Sequence, residues 1–550
     1  MKSAEEACCV VTVFENSKER ANIAQPFRSG QTPGRPANRR LSSSGVIVND
    51  HTGIVLCSGL LFSHFLIDKE SVSSDYQFLL PHSISDQLSI YVQCSGQQRL
   101  TTSGCSVDPV SFEAMPMRNV THFESQLIMM VNCLEFRSTF RKVFKDVDKW
   151  SFYSGEEDAE PAQNIQFLSW FAVLRVPGLA KSEQGRTVPW VHGQSLEKGC
   201  VVFACGSPFG TFCPDLFMST LSKGIVSNLA GEDHALILTD ARCLPGTEGG
   251  GLFVKSGDLA YLVGLIVSPL CWKSNEWIGL TLVCSLQLIL RNILKSVTLQ
   301  DPTKEVCAWL PGASIDSVAD ADQSMKRHPS VALVDTGQFW GSGILMSSRL
   351  MLTCRHVLHG QSRLTVRFKT KSRFLAVMGE VLYSTKVTSP YDVAVVLLKE
   401  QLPDVEVPTL ASTFTPGEDV YVIGYGAFGQ SCGPTVTSGI LSRAVAFHSQ
   451  PVMLQTTCAV QAGSSGGAVI RAQTGELLGL VASNTRDMVA GVTYPHLNFS
   501  IPASLLDPLL QQFSRTGDPA VFRQLDSADE QVRRAWRLQA PPLDPLKSKL

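Results

Sequence analysis

The sequence predicts an all-β protein with a few short helices, built as two tandem units of paired β-barrels, the first a degenerate copy of the second. Two observations carry this. Short alternating apolar runs, punctuated by Gly and Pro, recur along most of the chain, as barrels and sandwiches require. Four landmarks also appear in the same order in each half, the mark of a duplication. At roughly 150 residues per domain, 550 residues hold two large domains, each able to close a two-barrel core.

The first landmark is a glycine-led hairpin. SSGVIVNDHTGIVLCSGLLF at 43–62 matches GSGILMSSRLMLTCRHVLHG at 341–360. With Gly45 set on Gly343, Leu60 falls opposite His356. The second is a short apolar strand, WFAVLRV at 170–176 beside DVAVVLL at 392–398, which sets Trp170 opposite Asp392. The third is a glycine-rich turn and the strand after it, VFACGSPFG…LSKGIVS beside VIGYGAFG…VTSGILS. The fourth pairs LPGTEGGGLFV at 244–254 with AGSSGGAVI at 462–470, setting Glu248 opposite Ser465.

These landmarks divide the chain into an N-terminal segment 1–40, a degenerate unit 41–300, a linker 301–329, an intact unit 330–510 and a C-terminal helix and tail 511–550. The degenerate unit carries a polar, loop-like insertion over about 63–160. SLQLILRNILKSV at 285–297 has apolar residues at helical spacing and predicts a closing helix. Ser527 and Glu530 are spaced as a capping box for a helix running to about Leu538.

Composition narrows the function classes. A net charge of -2 offers no electrostatic reason to expect nucleic acid. The longest apolar runs, such as LAYLVGLIVSPL, are too short to span a bilayer, so no membrane span is expected. MKSAEEACCVVTVFENSKER lacks the apolar core of a secretory signal. Sixteen cysteines in a chain without an export signal read as reduced thiols packed as small hydrophobes.

The second half presents chemistry. His356, Asp392 and Ser465 occur in that order, at a strand end, a strand start and a glycine turn. A serine hydroxyl is barely ionised at neutral pH and needs a base when it attacks a carbonyl. Imidazole takes that proton and hands it to the leaving group. A carboxylate orients the imidazole and stabilises the imidazolium. The glycines let the backbone turn so that the N–H groups of Gly463 and Ser465 point at the developing oxyanion. The first half has none of these groups, because Leu60, Trp170 and Glu248 stand in their places. Its role is structural or substrate-binding.

TCRHV, DVAVV, GSSGG and VTSGILS resemble the motifs of chymotrypsin-like serine proteases in their HtrA-like branch, closely over 330–510 and weakly over 41–285. The resemblance implies a chymotrypsin-like double barrel in each unit, with His356 as general base, Asp392 as its partner and Ser465 as nucleophile. It also implies a specificity pocket based on Ala459 and Val460 and walled by Ala482, Ser483 and Asn484. With no carboxylate at the base, a small or apolar residue before the scissile bond fits best. Ser464 replaces the Asp of digestive relatives, so activation by a buried new N-terminus is not expected, and no PDZ-like domain follows. Self-association is a prior of the branch, and no metal or organic cofactor is implied.

The last residues, Ser548-Lys549-Leu550, match the peroxisomal import tripeptide, so capture by an import receptor through the carboxylate, basic side chain and apolar tip is expected. A decayed half, an intact half and this terminus together resemble a family of peroxisomal processing endoproteases. That resemblance implies removal of N-terminal targeting leaders from imported precursors in the matrix and cleavage of other fatty-acid oxidation enzymes. It further implies a preference for cutting after Cys, and self-cleavage, for which Cys94 and Cys105 in the polar insertion are the candidates. The alternative, from another class, is a catalytically silent binding or chaperone-like module.

Overall fold

The computed structural model describes residues 1–15, 40–68, 76–95, 120–145, 149–152, 165–179, 187–274, 276–300, 314–315, 328–370, 374–487 and 492–538. They form two compact units. One comprises Met1–Cys271 and Leu280–Gln323, the other Trp272–Gly279 and Ser324–Leu550. Eight residues flanked on both sides by the first unit's chain therefore belong to the second unit.

Each unit contains two closed six-stranded antiparallel barrels. In the first unit, one barrel is built from Cys8–Glu15, Arg40–Asn49, Ile54–Ser58, Leu88–Ser95, Val120–Asn132 and Trp170–Arg175. The next uses Val201–Gly206, Thr220–Ala230, Leu236–Thr239, Gly251–Ser256, Leu259–Ser268 and Thr281–Ser285. In the second unit, Val331–Asp335, Trp340–Leu345, Leu350–Thr353, Arg363–Lys369, Phe374–Ser384 and Ala394–Leu398 close one barrel. Asp419–Gly424, Thr435–Phe447, Gln450–Thr456, Ala468–Arg471, Leu477–Asp487 and Val492–Pro502 close the other. Numbered in chain order within each barrel, the strands run around all four rings as 1-2-3-6-5-4.

Alternation builds the walls. In RLTVRFK at 363–369, Leu364, Val366 and Phe368 turn inward while Arg363, Arg367 and Lys369 stay outside. Register confirms the duplication residue by residue. Gly45 pairs with Cys57 as Gly343 pairs with Thr353. Cys57 then pairs with Ala172 as Thr353 pairs with Ala394. Counting outward from these pairs sets Leu60 on His356 and Trp170 on Asp392.

Within each unit a buried serine ties one barrel to the other. The Ser342 hydroxyl donates to the Gly463 carbonyl at 2.8 Å and accepts from the Tyr425 N–H at 2.7 Å. In the first unit Ser44 donates to Gly246 at 2.7 Å and accepts from the Ser207 N–H at 2.7 Å. Both serines are fully buried.

Several expectations are corrected. Cys8–Glu15, placed in a separate N-terminal segment, is the opening strand of the first barrel, paired on both edges. The polar insertion supplies two barrel strands, Leu88–Ser95 and Val120–Asn132, and the helix Leu134–Val143. Within the expected linker, Ser314–Ile315 pairs in parallel with Trp190–Val191. The helix at Glu530–Trp536 is capped by Asp529, which accepts from the Gln531 N–H, whereas Ser527 turns its hydroxyl to the Gln524 carbonyl. The closing helix of the first unit is present, as Leu286–Gln300. No helix among the described residues is long and apolar enough to cross a membrane.

Removing the Ser342 hydroxyl leaves a buried N–H and a buried carbonyl unmatched. Ser342→Ala is expected to cost about 1–3 kcal/mol, read as a lower denaturant midpoint for the transition of the second unit; an unchanged midpoint would deny the latch its role.

Candidate active site

His356 and Asp392 meet because their strands pair. Leu350–Thr353 lies beside Ala394–Leu398 with Thr353 opposite Ala394, so the residues just beyond these ends converge. His356 opens a short helical turn, His356–Leu358. Its Nδ1 lies 2.5 Å from Asp392 Oδ2, and its backbone N–H donates to Oδ1 at 3.0 Å. A carboxylate in this position accepts from Nδ1–H and leaves Nε2 with its lone pair. The C-terminal segment steadies the approach to Asp392. Asp526 accepts from the Tyr383 hydroxyl and the Lys386 N–H, each at 2.7 Å, and Ser389 donates to the Leu525 carbonyl at 2.7 Å.

Burial alone would raise the Asp392 carboxyl. The His356 ring hydrogen bond, the neighbouring His356 and Arg355 charges and the His356 N–H outweigh it and hold the group below the usual carboxylate range. The carboxylate therefore persists as pH falls through the ordinary range and is lost only as pH drops through its lowered value.

Ser465 lies on the turn before Ala468–Arg471, between two glycines with positive φ, Gly463 at 92° and Gly466 at 85°. At Gly466 a side chain would fall 2.0 Å from the Ser342 carbonyl oxygen, so the turn requires glycine there. Among the described residues, the N–H groups of Gly463 and Ser465 have no hydrogen-bond acceptor. The serine and histidine turns share neighbours on two sides. The Val481 carbonyl accepts both the Gly466 N–H at 2.8 Å and the Cys354 S–H at 3.2 Å. A side chain at Gly341 would lie 2.6 Å from Val357 and 3.2 Å from the Ser465 carbonyl oxygen.

Cys354, His356 and Asp392 bring three ligand-type atoms within 4.8 Å of one another. The Cys354 thiol is fully buried, spends its proton on Val481, and is pushed well above its ordinary pKa by burial and by the Asp392 charge. It is a neutral packing group, ill-suited to a metal that needs thiolate. All described cysteines are free thiols.

Of the expected pocket residues, Ala459, Val460 and Ala482 are buried, Ser483 is exposed and Asn484 half-buried. Val460 donates to the Pro495 carbonyl at 2.9 Å, joining the residues before Ser465 to the last barrel strand. Cys94 is buried within a barrel strand paired along both edges, so its peptide bond cannot enter a protease cleft without unfolding that barrel. Cys105 and Ser548-Lys549-Leu550 lie outside the described residues. Sequence reasoning passed over Ser342, although Ser44 and Ser342 stand at equivalent positions of the aligned hairpins. It also passed over Gln461, a buried amide with no such pairing to mark it.

The first unit retains the same frame around different side chains. Gly246 and Gly249 have φ of 95° and 79°. Leu60 and the fully buried Trp170 stand where the second unit has His356 and Asp392. Glu248 folds back so that Oε2 accepts from the Gly246 N–H at 2.8 Å, and its own N–H also holds the carboxyl. The donors that stay free around Ser465 are thus occupied in the copy. A cavity of about 560 Å³ persists beside them, lined by Leu60, Phe209, Phe212 and Glu248.

Paired barrels with a His–Asp couple on one and a glycine-framed serine on the other define a trypsin-like serine peptidase. The family model for the trypsin-like peptidase domain matches residues 341–480. The mouse peroxisomal leader peptide-processing protease is 40% identical over 583 aligned positions, covering 100% of this chain and 99% of its own. The human protein of that name is 39% identical over 586 positions, with the same coverage. The chain belongs to the family of peroxisomal leader peptide-processing proteases. Among solved structures, the HtrA-type protease AlgW with tripeptide is 27% identical over 35% of this chain and 62% of that one, at a TM-score of 0.29. The serine endoprotease from Yersinia pestis is 25% identical over 34% and 64%, at 0.28.

Burial raises the Glu248 carboxyl to about 7, against the pull of the two N–H groups. A raised acid gives stability that is full below its unfolded value and is lost as pH climbs through the folded one. Glu248→Gln is therefore expected to be more stable than the parent at pH 8 by about 3 kcal/mol, at roughly 1.4 kcal/mol per pKa unit, read as a higher denaturant midpoint. The difference should vanish near pH 4.5. A gap that stays constant with pH would contradict this.

Proposed function

We propose that the chain is a peroxisomal serine endopeptidase acting through Ser465, His356 and Asp392. The His356–Asp392 couple, held at 2.5 Å beside the serine turn, is the observation that supports this most strongly. His356 Nε2 takes the Ser465 hydroxyl proton as Oγ bonds to the scissile carbonyl carbon. The carbonyl oxygen becomes an oxyanion, received by the N–H groups of Gly463 and Ser465. The imidazolium, stabilised by Asp392, gives its proton to the leaving amine as the C–N bond breaks. Water then repeats the sequence on the acyl-enzyme and frees Ser465.

Ala459 and Val460 form the base of the specificity pocket, with Ala482, Ser483 and Asn484 as its wall. Such a pocket favours a small apolar residue or Cys before the scissile bond. The substrates are N-terminal leaders of imported precursors and other peroxisomal fatty-acid oxidation enzymes. Self-cleavage is assigned to Cys105, because Cys94 is tied into a barrel wall. Ser548-Lys549-Leu550 brings the chain to the import receptor and the matrix. The silent-module alternative suits the first unit, whose cavity is bordered by Leu60 and Glu248 at the positions that match His356 and Ser465.

A fluorophosphonate probe should label the parent and leave Ser465→Ala unlabelled; equal labelling would sink the assignment. Asp392→Asn should lower kcat on the order of ten-thousandfold by presenting the wrong imidazole tautomer, measured on a leader-bearing precursor with sequencing of the product ends.

A further inference from the structure

Trp272–Gly279 connects the fifth and sixth strands of a barrel in the first unit, yet it belongs to the compact body of the second. It opens as a small hairpin with Trp272 opposite Trp277 and Lys273 opposite Glu276. Its contacts concentrate around the residues that precede Ser465. The Gln461 side chain donates to the Ile278 carbonyl at 2.8 Å. A side chain at Gly279 would stand 3.3 Å from both Ala459 Cβ and Pro495 Cγ. Trp277 meets the His496 ring edge-on at 5.4 Å between centroids. Lys273 donates to the Ala427 carbonyl at 3.3 Å and places its ammonium 5.1 Å from the Trp340 ring.

The contacts form one connected frame. Ala459 is the assigned pocket base, and the Pro495 carbonyl accepts from its neighbour Val460. Gln461 is buried four residues before the nucleophile, and its Oε1 also accepts from the Ala427 N–H at 3.4 Å. Trp340 donates from Nε1 to the Gly426 carbonyl at 3.4 Å, and a side chain at Gly463 would press on that same indole nitrogen at 2.7 Å. The pocket base touches the hairpin directly, and the serine turn is linked to it through Gln461 and Trp340.

We propose that Trp272–Gly279 is a specificity strap. It backs the pocket base at Ala459 and, through Gln461 and Trp340, sets the position of the turn that carries Ser465. Its residues are positioning residues, since they act through the pocket and not on the substrate. The assignment rests on the reading of Ser465 as nucleophile. With the strap seated, the pocket base cannot recede, and a bulky side chain before the scissile bond is rejected by contact. Loosening the strap should admit larger residues at the expense of small ones.

The test uses the full chain and quenched peptides that differ only in the residue before the scissile bond: Ala, Cys, Leu or Phe. Trp277→Ala removes the His496 contact, and Lys273→Ala removes the grip on Ala427 and Trp340. Each is expected to raise the ratio of kcat/KM for Leu over Ala by about three- to tenfold. Gln461→Leu should move the ratio the same way by cutting the link to Ile278 from the other side. A variant that only folds poorly lowers all four rates together and leaves the ratio alone. Parental ratios in all three variants, with the parent labelled by fluorophosphonate and Ser465→Ala not, would overturn the strap while leaving the nucleophile in place. Failure of the parent to take the probe would instead remove the reading on which the strap depends.

Discussion

The second unit depends on one hydroxyl. Ser342 projects from the second strand of the barrel that carries His356 and Asp392, and both its partners belong to the barrel that carries Ser465. His356 on one closed ring and Ser465 on another have nothing in the strand ladders to keep them in register. Closed rings have no free edges through which to pair. What remains is side-chain packing and a few directed bonds, and a buried hydroxyl that both donates and accepts fixes distance and orientation together. Ser44 makes the same two bonds in the first unit, where no reaction needs them. The latch is therefore part of how the barrel pair folds, and the proposed chemistry would use a geometry already required for packing.

The two copies also separate what a peptidase needs to fold from what it needs to react. Positive φ at Gly246 and Gly249 survives beside Glu248, so the turn is kept by its surroundings and not by its chemistry. The carboxyl replacing the hydroxyl does not stay idle. It turns onto the Gly246 N–H and its own, satisfying donors that would otherwise be left bare in a buried loop. Placing Glu248 where the second unit has Ser465 thus leaves these two donors bonded, while the cavity beside them remains.

Much of this was legible in the sequence. Strand alternation and glycine punctuation are local signals, and the four landmarks carried the register that later aligned Leu60, Trp170 and Glu248 with the reactive residues. What escaped was set by distant contacts. In VTHFESQLIMMVN only the last four residues are buried in succession, so the strand begins with a polar face and reads as loop. CCVVTVFE is mostly apolar, but a long stretch of sequence parts it from its partner RLSSSGVIVN, and nothing local announces the pairing. The cap at Asp529 sits one residue ahead of its helix, where Ser527 had the right spacing and the wrong geometry. The hairpin at 272–277 is least readable of all, because CWKSNEW contains no hint of which body it will join.

That hairpin makes the reactive module discontinuous along the chain. A recombinant fragment starting after residue 323 would carry His356, Asp392 and Ser465 and still lack eight residues of its own fold. A backbone nick between the two halves would leave those eight residues attached to the other piece. The module would then be held complete only by non-covalent association, so gene fusions, truncations and cleavage maps of this family have boundaries that do not coincide with the ends of its working parts.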